Sequence, residues 1–202
     1  MSFVHETAVV HPTVVVPEGA KIWAFAHVRE GVVLGENCVI GRNVYLGPGV
    51  KVGKNCKIQN DSQIYEPAQL GDGVFVGPGV ILTNDKNPRA INPDGTQKSI
   101  ADWQPVGVEV LEGASLGAGS ICIAPMVVGR WAMIAAGSVV TRNPQAFGLY
   151  VGAPAKFVGW IGRAGYPLSS IDGETFTCPK TGETYRQMEQ IGGTHLELET
   201  AT

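Results

Sequence analysis

The sequence predicts an all-β solenoid, a parallel β-helix, on three observations: a six-residue period, turn residues at fixed offsets, and one polar interruption. Every sixth residue from Val4 to Leu82 is aliphatic, and two positions before each stands a small or compact residue, such as Ala20, Ala26, Cys38, Val44 and Ala68. Glycine follows the aliphatic column at Gly35, Gly41, Gly47, Gly53, Gly71 and Gly77. After Leu82 the pattern stops. It resumes at Val110, Leu116, Cys122, Val128, Ile134 and Val140, again preceded at minus two by compact residues such as Val108, Ala114 and Ser138.

A period of six matches neither an amphipathic helix nor a plain alternating strand. It suits a short strand followed by a tight turn, with Gly, Asn or Asp wherever the turn needs positive φ. Three such units make one coil of 18 residues, and successive coils stack at about 4.8 Å, the spacing of neighbouring strands. Cys38 and Cys56 are 18 positions apart and belong to one inward ladder. With no CxxC pair, the four cysteines read as buried thiols rather than as a zinc ribbon or a disulfide framework.

From Leu82 to Val110 is 28 positions where six would continue the column, so about 22 residues are inserted. The insert is polar and turn-rich and reads as a loop over about 83–107, and long loops inside compact domains are usually functional. The expected organisation is a repeat domain over 1–158 carrying that loop, then a C-terminal extension over 159–202. In the extension, Pro179-Lys180-Thr181-Gly182 marks a hairpin turn, and the last ten residues are expected to be mobile.

Composition narrows the class. Hydrophobic residues make up 44% and charged ones 16%, with net charge -3, which argues against disorder and against a phosphate-backbone binder. No apolar run approaches the ~20 residues of a membrane helix. The opening MSFVHETAVV has no signal-peptide pattern, so a soluble, cytoplasmic protein is expected. The residue before each late aliphatic is often apolar itself: Ile121, Val127, Met133 and Val139, with Tyr45, Phe75 and Ile81 earlier. An outward apolar stripe needs cover, and a three-sided rod predicts a homotrimer.

The ladder, the ejected loop, the GSVVTRN ending and the stretch Gly152-Ala153-Pro154-Ala155-Lys156 resemble the left-handed β-helix hexapeptide acyltransferases over about residues 4–158. The left hand comes from that resemblance, since the general crossover rule favours the right. KIQNDSQIYE (57–66), LTNDKNPRA (82–90) and the tail resemble the bacterial nucleotide-sugar N-acetyltransferases. The nearest group acetylates the 3-amino group of UDP-2-acetamido-3-amino-2,3-dideoxyglucuronate for surface polysaccharide. The resemblance implies acetyl-CoA as cosubstrate, no metal, and sites between the subunits of a trimer.

The chemistry of the side chains fits an amine acceptor. A sugar hydroxyl needs a general base as it attacks, whereas an amine titrating near ~8 has a usable neutral fraction. The four histidines are His5, His11, His27 and His195, none of them in the loop or in the coils after it. Asn84 stands where the ladder gives way to the loop, and the resemblance implies that its carboxamide accepts a hydrogen bond from the sugar amine. The alternative is that Asn84-Asp85 only makes a turn; Asp85 is also the reserve candidate for a weak base. Arg89 suits a uronate carboxylate or a phosphate, or is a solvated loop charge. Tyr65, stacked below Thr83, together with Asn60 and Arg29 is assigned to the nucleotide-sugar cleft, against readings as a surface Tyr and a turn Asn. Acetyl-CoA, placed by the resemblance along a prism edge, would meet Ala118, Gly119, Ala136 and Gly137, with Arg142 and Lys156 at its phosphates. Turn sterics account for the small residues equally well.

Four rival readings stay open: a dTDP-3-amino-3,6-dideoxyhexose N-acetyltransferase, a sugar O-acetyltransferase, a zinc enzyme of carbonic-anhydrase type, and a scaffold subunit without activity. The zinc reading needs three convergent histidines, while His5 and His11 lie one hexad apart on different faces.

Overall fold

The computed structural model describes residues 1–190 and 193–200. Two- and three-residue strands stack into three parallel sheets that form the faces of a triangular rod. The first face is a nine-stranded sheet from Phe3–Val4 up to Ala155–Trp160, its last pair antiparallel. The second is seven-stranded, from Val9–Val10 up to Val139–Val140, and the third five-stranded, from Val33–Leu34 up to Met126–Val128. Register follows the predicted lag: Phe3 pairs with Lys21, Val39 with Lys57, and Tyr45 with Gln63, each 18 residues on. Across the loop the lag becomes 40, as in Leu82 with Cys122 and Leu70 with Val110. The helix therefore resumes on the same face after 22 extra residues.

The inward columns make one continuous core from Ile22 to Val140, nearly all of it fully buried. Cys38 and Cys56 point into it, their thiols donating to the carbonyls of Gly53 and Gly71 at 2.9 and 3.1 Å. Burial pushes the Cys122 thiol up to about 12, so it is a packing residue. Val4, predicted to be inward, is 43% exposed, because no coil lies beneath the first one to cover it.

The apolar outward residues do not form one stripe, which corrects the sequence expectation. Phe75 and Met133 lie on the first face and Val127 on the third. Of the outward residues that the sequence groups together, Ile81, Ile121 and Val139 alone stack directly, on the second face.

The corner between the third and first faces carries left-handed turns at Asn37, Asn55, Trp131 and Phe147. Asn is tolerated there, but Trp and Phe are costly at positive φ. Docking explains them. Phe147 is buried with Cys178, Tyr185 and Leu196, and Trp131, Trp160 and Phe176 pack around that second core. The C-terminal extension is thus a four-stranded antiparallel sheet, Ser169–Ser170, Thr175–Thr177, Thr184–Gln190 and Gly193–Thr200, held against the upper coils. The turn residues Pro179-Lys180-Thr181-Gly182 lie between its second and third strands. The last ten residues were expected to be mobile, but Gly193–Thr200 is a paired strand whose Leu196 is fully buried; residues 201–202 lie outside the described residues.

That sheet carries an ionic clasp. The Arg163 guanidinium bonds Glu183 Oε1, and Tyr185 Oη donates to Glu183 Oε2 at 2.6 Å while accepting from the Arg163 amide at 3.0 Å. The Arg163 contact, then the Tyr185 hydroxyl, hold the Glu183 carboxyl below its usual range. Burial, then the bond to Glu183, pushes the Tyr185 hydroxyl up to about 12. A lowered carboxylate stabilises above the ordinary Glu value of about 4.3 and loses that contribution as pH falls through its own pKa. A raised hydroxyl stabilises below its ordinary value of about 10 and loses that contribution as pH rises through its folded one. The near-UV circular dichroism of Trp131 and Trp160 is therefore expected to stay flat between these limits and to fall below about pH 4. Glu183→Gln is expected to abolish the acid transition.

Candidate active site

The loop leaves and rejoins the rod at the corner between the second and third faces. Thr83 Oγ1 accepts the Ala124 amide at 2.9 Å, pinning the exit to the coil above, and the Asn84 carbonyl accepts the Val106 amide at 3.0 Å, closing the neck. The return strand passes so close to Pro67 that a Cβ on Gly107 would sit 3.1 Å from its carbonyl oxygen. Prolines preceded by cis peptides, Pro67 below and Pro125 above, flank the neck, and a groove of about 440 Å³ beside it runs past Gly107, Met126 and Val127 to Asn143.

Within the loop, Ile91 bridges Gln97 and a short 3-10 turn, Ile100–Asp102, is capped by Ser99. Asn84, Asp85 and Arg89 share a hollow of about 340 Å³ with Lys98, Ser99, Ile100 and Trp103. Asn84 makes no side-chain hydrogen bond to a described residue, so its carboxamide is available. Asp85 makes the turn instead: its Oδ1 accepts the Asn87 amide at 2.8 Å. The Arg89 guanidinium is exposed and donates to the Pro88 carbonyl.

Below the neck, on the second face, an aromatic column descends. The Tyr65 ring stands 5.4 Å from Tyr45, and Tyr45 5.7 Å from His27. Arg29 reaches the Tyr45 hydroxyl at 3.4 Å but is gripped by Glu30 through two bonds of 2.9 and 3.1 Å, which raise its pKa. Arg29, Tyr65 and Asn84 thus share one corner, with His27 and Tyr45 as members the sequence reading did not assign.

Asn60 does not join them. It lies at the opposite end of its second-face strand, at the corner with the first face, and its Oδ1 accepts the Arg42 amide at 2.9 Å as a staple between coils. The expected cofactor set also divides. Ala118, Gly119, Ala136 and Gly137 occupy that first–second corner, where a Cβ on Gly119 or Gly137 would meet nothing within 4 Å. Lys156 lies just past the turn that continues the same edge, opposite Val151. Arg142 instead follows Val140 on the second face and so sits two coils above Asn84, at the other corner. Gly119 and Ala124 bracket one second-face strand, putting the two corners about 16 Å apart by strand rise.

Among the described residues, no group of three or more side chains could hold a metal, and no helix is long and apolar enough to cross a membrane.

Comparison with known proteins agrees with this architecture. The family described as bacterial transferase hexapeptide (six repeats) matches residues 13–48 and 49–84, and the hexapeptide repeat of succinyl-transferase matches 31–66 and 106–142. A dTDP-3-amino-3,6-dideoxy-alpha-D-galactopyranose 3-N-acetyltransferase from Aneurinibacillus thermoaerophilus is 37% identical over 82 residues, 41% of this chain and 42% of that protein. The match thus spans less than half of that relative. Among solved structures, WeeI from Acinetobacter baumannii superposes with TM-score 0.53 at 19% identity, over 77% of this chain and 57% of that one. A hexapeptide-repeat acetyltransferase from Vibrio cholerae, complexed with acetyl coenzyme A, gives 0.51 at 16% identity over 65% and 71%. Coils of three strands, an 18-residue register and repeat matches on both sides of the loop lead to one conclusion: the chain is a hexapeptide-repeat protein, built as a left-handed parallel β-helix.

Proposed function

We propose that the chain transfers acetyl from acetyl-CoA to the amino group of a nucleotide-linked amino sugar, at a site completed between copies of a homotrimer. The observation that carries this reading is the free carboxamide of Asn84 at the loop neck, in a rod whose loop and later coils contain no imidazole. A neutral amine held there by Asn84 attacks the thioester carbonyl; the C–N bond forms, the C–S bond breaks, and amide and CoA thiol result. Positioning of this kind supplies several kcal/mol without a strong base. The 37% identical relative is named for the same reaction on a dTDP-linked 3-amino sugar, and the Vibrio neighbour holds acetyl-CoA. Both support the coarse reading.

The finer assignment is a UDP-linked 3-amino-glucuronate, with the exposed Arg89 facing its carboxylate, made in the cytoplasm for surface polysaccharide. The trimer supplies what one chain lacks. The small-residue edge and Asn84 occupy the two corners of the second face, and the apolar column Ile81, Ile121, Val139 lies between them. Three second faces packed around an axis set one copy's edge beside the next copy's Asn84.

Thiol release from acetyl-CoA with a panel of UDP- and dTDP-linked amino and hydroxy sugars tests the function. Turnover of amino sugars is expected, fastest with the amino-uronate. Turnover of hydroxy sugars alone would replace this reading with O-acetyl transfer.

A further inference from the structure

One coil carries the same arrangement at all three corners, and at one of them it is left incomplete. Asn60, Glu66 and Asp72 each lay a side-chain oxygen across the glycine of the coil beneath: Gly41, Gly47 and Gly53. A Cβ on any of these glycines would collide with that oxygen. At two corners the oxygen then accepts the next amide below, Arg42 N to Asn60 Oδ1 at 2.9 Å and Lys54 N to Asp72 Oδ1 at 2.7 Å. At the third corner the next residue is Pro48, which has no N–H. Glu66 Oε2 is consequently buried with no hydrogen-bond partner among the described residues. Buried polar atoms are nearly always partnered, so a carboxylate oxygen kept in a staple position without its donor needs a reason.

Its location supplies one. Ile64 pairs with Leu82, which sets Glu66 one coil directly below Asn84, and Pro67 beside it contacts the returning loop at Gly107. No hydrogen bond to a described residue restrains the carboxylate, and the residue is only half-buried, so it can turn outward beneath Asn84 at no cost in bonds. We propose that Glu66 is a catalytic residue for the acceptor nitrogen, kept free for that role by Pro48. The inference rests on the N-acetyl reading. As the neutral amine bonds to the thioester carbon, its nitrogen becomes acidic. Glu66 takes that proton and returns it to the departing CoA sulfur as the C–S bond breaks, leaving amide, thiol and ionised Glu66. An amide at this position cannot do so.

The test uses the full chain, acetyl-CoA, and the amino sugars of the panel. Glu66→Gln is expected to lower kcat about 100-fold, the low end for removing a general base, with KM for acetyl-CoA and the thermal midpoint unchanged. Pro48→Ala restores an N–H below the carboxylate and pins it; kcat is expected to fall about tenfold while the midpoint rises, in a residue that touches no substrate. The double variant is expected to be no slower than Glu66→Gln alone. Wild-type kcat in Glu66→Gln overturns the proposal, as does a lowered midpoint with every KM raised in step, which marks a packing residue. Full additivity of the two substitutions overturns the pinning. A wild type inactive on every amino sugar brings down the N-acetyl reading and this proposal with it.

Discussion

Replacing Asn84 with alanine is expected to cut kcat about 100-fold, the size of effect that follows when a reacting group is misplaced by about 1 Å. The substitution leaves the surrounding structure untouched. The carboxamide bonds no described residue, and the neck is closed by the backbone pair between the Asn84 carbonyl and the Val106 amide, which alanine keeps. Thermal stability is therefore expected to stay within experimental scatter. The KM for acetyl-CoA is also expected to hold, because in the proposed site Asn84 holds the acceptor amine while acetyl-CoA is bound by the small-residue edge of the neighbouring copy. Asp85→Asn provides the control. Its Oδ1 can still accept the Asn87 amide, so the turn survives while the charge is lost, and kcat is expected to change less than twofold. Steady-state thiol release separates the two. Unchanged turnover in Asn84→Ala would make Asn84 a neck residue only, and a large loss in Asp85→Asn would move the chemistry one residue along.

The rod was legible because its signal is redundant. Each aliphatic position is supported by partners one coil before and after it, so a single departure such as Cys122 changes nothing, and the buried Ser62 and Ser120 fit the compact column beside it. The lag of 40 across the insert was implied by the same arithmetic, since Leu82 and Cys122 had to share a face. What the period could not show was which corner a residue occupies once its side chain has alternatives. Asn60 and Tyr65 lie within one stretch of sequence, yet one staples coils at the first corner and the other stands below the loop neck at the second. Arg142 was grouped by chemistry with Lys156 and is parted from it by geometry. Glu66 was missed because its peculiarity belongs to another residue: only when Pro48 is set 18 positions below it is the missing amide seen. The terminal sheet was missed in part for a related reason. Its burial depends on Trp131 and Phe147, aromatics placed in left-handed turns where the same corner of the rod elsewhere uses Gly or Asn. That substitution was the visible signal of docking.

Ile121→Asp is expected to abolish both assembly and activity. Ile121 is the middle of the column Ile81, Ile121, Val139, the only direct stack of outward apolar side chains on the second face. In the proposed trimer each copy buries this column, and one isoleucine removed from water contributes about 1.5–3 kcal/mol. A carboxylate in its place forfeits that and adds the cost of an unpaired buried charge, three times around the axis. Within a single chain the change is mild, since the residue points away from the core and its strand keeps both neighbours. The variant is therefore expected to melt near the wild-type midpoint while its mass in solution falls to the 21.3 kDa of one chain. Activity is expected to fall more than 100-fold, because neither corner alone holds both donor and acceptor. Val33→Asp, an exposed position on the third face far below the loop neck, carries the same new charge without touching the column and is expected to keep mass and most activity. A monomeric Ile121→Asp that still turned over amino sugars at the wild-type rate would mean that a single rod brings acetyl-CoA to Asn84 across one face, and the shared site would have to be given up.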